Sequence, residues 1–309
     1  AVAETVRAAT ADWSGEVILE ASASGLPHQR NLGLGHVTAP VVLFPDDDSL
    51  LYPDTAAEML AVYARDSAGQ IAAVCAAEAM TPPTGAVQDA TYEVNTHHRR
   101  EARIRGLRNR IERRLTVLKP AMYLGQILNL RHAAPDWLDE MNVVPVEYMT
   151  GFRMSFRTDA IRAVGFDESL DGYAVDEDID ASFSAMRAGL VVGARSARIY
   201  HHRCPGGRGA AYLRGKMEVL NRAYVLLKHA SGPNGSVGLA NTVWRKQQMF
   251  CALKLLSLLR GVASEAGRAR LAGAWDGSRQ AAQLWYMPSR DWSRIFARVS
   301  ESPRTAVST

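Results

Sequence analysis

The alternation of short apolar runs with segments of helical periodicity constrains the fold of this chain more than any other feature. The runs at residues 17–21, 41–44 and 71–80 are short and apolar, as buried strands are. Helical character follows them in residues 27–37 and in a stripe formed by Ala57, Leu60, Ala61 and Ala64. Strands separated by helices predict an α/β fold with a mainly parallel sheet covered by helices on both faces.

The composition excludes several classes of protein. Of the 309 residues, 47% are apolar and 22% are charged, with a net charge of +4, which is typical of a globular protein. The three cysteines, Cys75, Cys204 and Cys251, lie far apart without a CxxC pair, which argues against a disulfide scaffold or a zinc knuckle. The chain also shows no signal-peptide pattern and no run of about 18 uncharged apolar residues. These features predict a cytoplasmic protein.

Three consecutive aspartates follow the second predicted strand. Asp46 and Asp48 are two positions apart on an extended segment, so they project to the same side, whereas Asp47 points elsewhere. Two convergent carboxylates suit a hard divalent cation such as Mg²⁺ or Mn²⁺. The alternative interpretation is a solvated acidic turn in which Asp48 and Ser49 cap the next helix.

A second acidic cluster, Asp176, Glu177 and Asp178, precedes a helical stripe. The helix dipole favours carboxylates at that position, so simple capping is one interpretation. A carboxylate there is also a candidate general base. His201 ends a predicted strand and is a possible metal ligand, although a structural histidine is the alternative.

Three segments carry a family resemblance when they are taken in order. They are "QRNLGLGHVTAPVVLFPDDDSLLYPD", "TGFRMSFRTDAIRAVGFDESLDGYAVDEDIDASFSAMRAGL" and "ARIYHH". Over residues 15–202 the chain resembles the family 2 glycosyltransferases, which have a GT-A fold with a Rossmann-like sheet. That resemblance implies transfer of a sugar from a nucleotide-sugar donor with inversion, assisted by Mn²⁺ or Mg²⁺.

The resemblance also implies roles for particular residues. It assigns donor binding to Arg30, Asn31, Asp46, Asp47 and Gly151, metal binding to Asp46, Asp48 and His201, and catalysis to Glu177 and Asp178. Asp178 takes the place of the catalytic base. The expected acceptor is a polysaccharide, a glycan or a lipid-linked sugar.

One departure from the family pattern lies at the N-terminus. The family begins with a strand–helix–strand unit that grips the nucleotide, and such a unit needs about 30 residues. Only about one helix precedes Val17 here. We therefore expect either an N-terminally incomplete catalytic domain, at residues 1–204, or a nucleotide that is held differently. Residues 205–309 are predicted to form a helical extension.

Two segments suggest a membrane surface. Residues 97–119 carry eight arginines and one lysine against two glutamates, together with an apolar helical stripe. This pattern fits a surface helix or a helix that contacts anionic headgroups at the inner face of the membrane, and we expect no nucleic-acid partner. Residues 244–263 form an apolar segment that suits either the core or a membrane interface.

The sequence leaves two functions open beside the enzyme. The expected loss of the N-terminal unit is compatible with a non-catalytic module that binds a nucleotide or a sugar. The basic segment is compatible with an adaptor at a membrane surface.

Overall fold

The computed structural model describes residues 2–84, 119–170, 174–202, 210–232, 235–292 and 294–296. The strands are β1 (Val41–Phe44), β2 (Ser49–Leu51), β3 (Ile71–Ala79), β4 (Val143–Pro145), β5 (Met154–Arg157) and β6 (Leu190–His201). The helices are α1 (Val2–Ala9), α2 (Leu26–His36), α3 (Thr55–Arg65), α4 (Pro120–Asn129), α5 (Trp137–Glu140), α6 (Thr158–Arg162), α7 (Glu177–Ala185), α8 (Ala211–Ala230), α9 (Val237–Leu258) and α10 (Glu265–Tyr286). Short 3₁₀ turns lie at Gly151–Arg153, Leu259–Gly261 and Ser289–Asp291.

The sheet is mixed, and the prediction of a mainly parallel sheet is wrong. Its order is β1-β5-β3-β6-β2, with β4 also paired to β6. Among these strands only the pair β3 and β6 is parallel. The prediction failed because β5 inserts between β1 and β3 in the opposite direction, and periodicity along the chain does not report strand order. The predicted strands at 41–44 and 71–80 are confirmed as β1 and β3.

Residues 17–21 are not a strand, so that prediction is also wrong. They lie outside any helix or strand. Val17, Ile18 and Leu19 are each about half exposed. An isolated strand is not stable without a pairing partner, and none of the described strands pairs with this segment.

Helix α3 is present as predicted, but it buries a different face. The residues that face the core are Thr55, Met59, Val62 and Tyr63, whereas Leu60 is half exposed. The large side chains set this orientation because burying methionine and tyrosine removes more apolar surface from water than burying alanine.

Helices cover both faces of the sheet, as the sequence predicts. Along β3, Ala73 and Cys75 pack into the core beneath α4, α7 and α8, while Val74 and Ala76 pack against α3 on the other face. This alternation is the period of two that a strand imposes on its side chains. A sheet with two apolar faces needs both layers of helices to exclude water.

The helices after residue 205 are part of the main core. Leu220 and Val225 of α8 belong to the same buried cluster as Phe183 of α7. Helices α8 and α10 pack closely because glycines of α10 lie against the backbone of α8. A Cβ on Gly273 would lie 1.9 Å from the Tyr212 carbonyl oxygen.

No helix in the described part of the chain is long and apolar enough to cross a membrane. The basic segment 97–119 lies outside the described residues except for Lys119.

Candidate active site

The three aspartates form a turn between β1 and β2 that places two of them beside His201. Strand β2 pairs with the end of β6 so that Ser49 lies opposite His201. The ligand atoms of Asp46, Asp48 and His201 all lie within 4.8 Å of one another. His201 Nε2 lies 3.1 Å from Asp48 Oδ1. Asp47 is exposed and lies outside this group.

Neighbouring groups fix both the turn and the imidazole. The Ser49 hydroxyl accepts a hydrogen bond from the Asp46 amide at 3.1 Å and donates to the Phe152 carbonyl at 3.1 Å. The Phe152 ring stacks on the His201 ring with centroids 4.4 Å apart. The site is therefore held by side-chain and ring contacts as well as by strand pairing.

The donor set of these three residues fits a divalent cation. Burial raises the pKa of Asp46, the Arg30 and His201 charges lower it, and the like charge of Asp48 raises it again. A cation would relieve the repulsion between the two carboxylates. Carboxylate oxygens with one imidazole suit Mn²⁺ and can also hold Mg²⁺. We call Asp46, Asp48 and His201 the acidic–histidine cluster.

Arg30 joins this cluster to the second acidic group. Its buried guanidinium donates from Nη2 to Asp46 Oδ1 at 2.8 Å and from Nη1 to Glu177 Oε1. Nη2 also donates to the Gly151 carbonyl oxygen at 3.3 Å. One side chain on α2 thus connects three segments that are far apart in the sequence.

Glu177 is buried, and only one of its two carboxylate oxygens has a hydrogen-bond partner among the described residues. Its Oε1 pairs with Arg30, whereas Oε2 has no hydrogen-bond partner among the described residues. Burial raises the pKa of Glu177, Arg30 lowers it, and the nearby Asp178 adds a further rise. A buried acceptor without a partner costs about 1–3 kcal/mol, so this oxygen is available to a ligand group.

Asp178 lies in the first turn of α7 and is partly exposed. Its Oδ2 accepts from the Gly151 amide at 3.0 Å, and its Oδ1 accepts from the Ile179 amide at 2.9 Å. Burial and the neighbouring Asp176 raise the pKa of Asp178 to about 6, although both backbone hydrogen bonds oppose the rise. Such a carboxylate is ionised at neutral pH and basic enough to accept a proton.

Arg222, which the sequence reasoning missed, holds Asp176. Asp176 is buried at the N-cap position of α7 in a left-handed conformation, with φ of 71° and no side-chain hydrogen bond to the helix. Arg222 donates to it from Nε at 2.8 Å and from Nη2 at 2.6 Å. The adjacent Asn221 donates to the Val175 carbonyl oxygen at 3.0 Å. The available signal was this Asn–Arg pair in an otherwise apolar stretch of α8.

Asp180 faces away from Asp178, as the helical rotation predicts. It is 1% exposed, and it pairs with Lys228 Nζ at 2.9 Å and His229 Nε2 at 2.8 Å. Lys228 also reaches Asp167 at 2.6 Å. These contacts make Asp180 part of the attachment of α7 to α8.

Asn31 and Gly151 occupy different environments. Asn31 Nδ2 donates to the Phe166 carbonyl oxygen at 2.9 Å and to Glu168 Oε1 at 2.8 Å, so its side chain holds a neighbouring loop instead of joining the cluster.

At Gly151, a Cβ would lie 3.3 Å from both Arg30 Nη2 and Glu177 Oε1. Glycine at this position therefore leaves room for the ion pair.

A cavity of about 340 Å³ opens beside Gly151. Its lining includes Met122, Glu147, Tyr148, Thr150, Arg153 and Arg195. Apolar residues of β3 and β6 also line the cavity, and Thr150 adjoins Gly151, whose amide donates to Asp178.

No family model matches the chain, and no curated protein matches it. Among solved structures, 19 chains match. One is the mannosyltransferase PcManGT from Pyrobaculum calidifontis, determined in complex with GDP-Man and Mn²⁺. Its TM-score with this chain is 0.46 and the sequence identity is 15%, and the match covers 96% of this chain and 71% of that one. At this distance the likeness supports no inference about chemistry.

Proposed function

We propose that this chain is a metal-assisted, inverting glycosyltransferase of the GT-A type that acts on a nucleotide-sugar donor. One observation carries the proposal: Arg30 bonds to Asp46 of the acidic–histidine cluster, to Glu177 and to the Gly151 carbonyl oxygen, and the Gly151 amide bonds to Asp178. A cation site next to a carboxylate of raised pKa suits transfer from a diphosphate donor to a hydroxyl group.

The acidic–histidine cluster would hold the cation, which when bound supplies positive charge for the donor diphosphate. We assign Arg30 to positioning, because its guanidinium is already engaged by Asp46 and Glu177. Glu177 anchors Arg30 through one oxygen and offers the other to the donor sugar. The family resemblance also suggests that Asn31, Asp47 and Gly151 contact the donor, and we include these contacts in the proposal.

Asp178 accepts the proton of the acceptor hydroxyl. As the acceptor oxygen bonds to the anomeric carbon, the bond from that carbon to the diphosphate oxygen breaks, and its electron pair leaves with the diphosphate. Attack from the face opposite the diphosphate inverts the anomeric centre. The cavity beside Gly151 is our candidate acceptor site, and it would take a glycan or the sugar of a lipid-linked acceptor at the cytoplasmic face of the membrane.

The test is donor turnover. The chain is incubated with a panel of nucleotide sugars in Mn²⁺ or Mg²⁺, and release of nucleoside diphosphate is measured with and without a chelator. We expect release from at least one donor and its loss on chelation. Asp178→Asn should lower this release, whereas its matched control Asp139→Asn, at an exposed position on α5, should release product at the parent rate. Metal-dependent binding without turnover of any donor would instead identify a non-catalytic binding module.

A further inference from the structure

Helix α9 presents an apolar stripe to solvent. Met249, Leu253 and Leu256 are 36%, 42% and 60% exposed. Their spacing of four and three residues places them on one face of the helix. Two more exposed apolar residues, Leu259 and Val262, continue the patch just past the helix end. Only Ala240, Val243, Gln247 and Cys251 of this helix are buried.

The charged residues of α9 itself are all basic. Arg245 and Arg260 are exposed and lie at either end of the stripe, four residues from Met249 and Leu256. The sequence of α9, VGLANTVWRKQQMFCALKLLSL, contains three basic residues and no acidic one. The other two besides Arg245 are Lys246, whose Nζ lies 4.4 Å from the centroid of the Tyr123 ring, and Lys254, which pairs with Glu218 at 2.8 Å.

We propose that the face formed by Arg245, Met249, Leu253, Leu256 and Arg260, called here the α9 stripe, seats on a bilayer surface that contains anionic lipid. A helix that lies in an interface buries apolar side chains among the acyl chains and places cationic side chains at the headgroup level. The arginines at the ends of the stripe match anionic headgroups, and their long aliphatic stems let them reach the polar layer. This inference goes beyond the proposed function and does not depend on it.

Charge argues against two other occupants of the stripe. A second copy of the chain, meeting the stripe face to face, would bring two pairs of arginines together. The chain's own segment 97–119 is strongly basic in sequence as well. An anionic surface attracts the arginines of the stripe instead of repelling them.

The experiment measures cosedimentation of the full chain with vesicles of phosphatidylcholine alone and of phosphatidylcholine mixed with phosphatidylglycerol. We expect binding to the mixed vesicles that weakens as salt rises. The double variant Leu253→Ser with Leu256→Ser should lower the affinity by about tenfold or more, because two apolar side chains no longer enter the bilayer. Arg245→Gln with Arg260→Gln should lower it by about fivefold for each arginine and flatten the salt dependence.

Matched controls come from exposed residues elsewhere. Leu60→Ser on α3 and Arg131→Gln after α4 make the same types of substitution outside the α9 stripe, and these variants should bind vesicles as the parent does. Equal binding by the parent and both α9 variants would overturn the proposal and place any membrane contact elsewhere. A large fall in the melting temperature of the leucine variant would overturn it too, because the stripe would then be covered by the chain itself. The proposal would also be overturned if the parent chain formed a dimer that the leucine variant dissociated while vesicle binding stayed unchanged.

Discussion

Asp178 and Glu177 are adjacent carboxylates whose environments separate their chemistry. Asp178 is partly exposed and accepts two backbone hydrogen bonds, whereas Glu177 is buried against Arg30 with one oxygen unpartnered. A pair of acids in unlike surroundings is a recurring arrangement in enzymes that divide roles between two carboxyl groups. Asp178, whose pKa is raised to about 6, is the one suited to proton transfer.

The pH dependence of turnover tests this assignment. Because only the ionised carboxylate accepts a proton, kcat/KM for sugar transfer should rise through about pH 6 and level off above it. The raised pKa also means that the folded state binds this proton more tightly than the unfolded state. Asp178 should therefore contribute a loss of stability as the pH rises from about 4 to about 6. A rate that falls with rising pH across this window would exclude Asp178 as the base.

Removal of one ligand tests the cation site. Asp48→Ala should abolish tight Mn²⁺ binding in calorimetry, because it removes a carboxylate from a three-residue donor set. Asp47→Asn changes an exposed neighbour outside the cluster and is the matched control, with binding close to that of the parent. Equal Mn²⁺ affinity in both variants would mean that the aspartates form only a solvated turn.

At the scale of elements, α8 positions the start of α7. It contributes Asn221 and Arg222 to the loop before α7, and Lys228 and His229 to Asp180. The candidate base accepts from the Gly151 amide, and α8 holds Asp176 and Asp180, which lie two residues before and after it. The acidic cluster is recognisable in the sequence as a helix start, but its partners on α8 lie 46 to 49 residues away and are fixed only by packing.

Arg222→Gln tests this positioning role. Without the guanidinium, the Asp176 charge is unpaired and raises the pKa of Asp178 further, so the acid limb of the pH–rate profile should move to higher pH. We also expect a loss of about 3 kcal/mol in the free energy of unfolding, because one partner of a largely buried ion pair is removed. An unmoved profile in a folded variant would leave Arg222 a purely structural role.

Asp180→Asn is the companion variant on the same helix. It weakens the contacts to Lys228 and His229 and should lower the melting temperature, but it should leave the acid limb where it is in the parent, because Asp180 faces away from Asp178. From the sequence alone we expect little effect; the burial of Asp180 adds the loss of stability. A shift of the acid limb equal to that of Arg222→Gln would show that both changes act through general loosening of α7.

At the scale of the whole molecule, the sequence predicts local features well and long-range pairings poorly. Strands β1 and β3, the start of α7 and the end of β6 follow from local apolar patterns, and so did the positions of Asp46, Asp48 and His201. The insertion of β5 between β1 and β3 depends on contacts across more than a hundred residues. For the same reason, periodicity could not show that residues 17–21 lack a partner or that Arg30 spans both acidic groups.

The central claim is that one site binds a donor through the acidic–histidine cluster and transfers its sugar with Asp178 as the base. The most direct measurement compares the parent with Asp178→Asn, using calorimetry for Mn²⁺-dependent binding of nucleoside diphosphate and an acceptor assay for the rate of transfer. The amide keeps the shape of the side chain but cannot take the proton, so we predict nearly unchanged binding and a transfer rate lower by about 10²-fold or more. Transfer at the parent rate by a variant that binds normally would contradict the account.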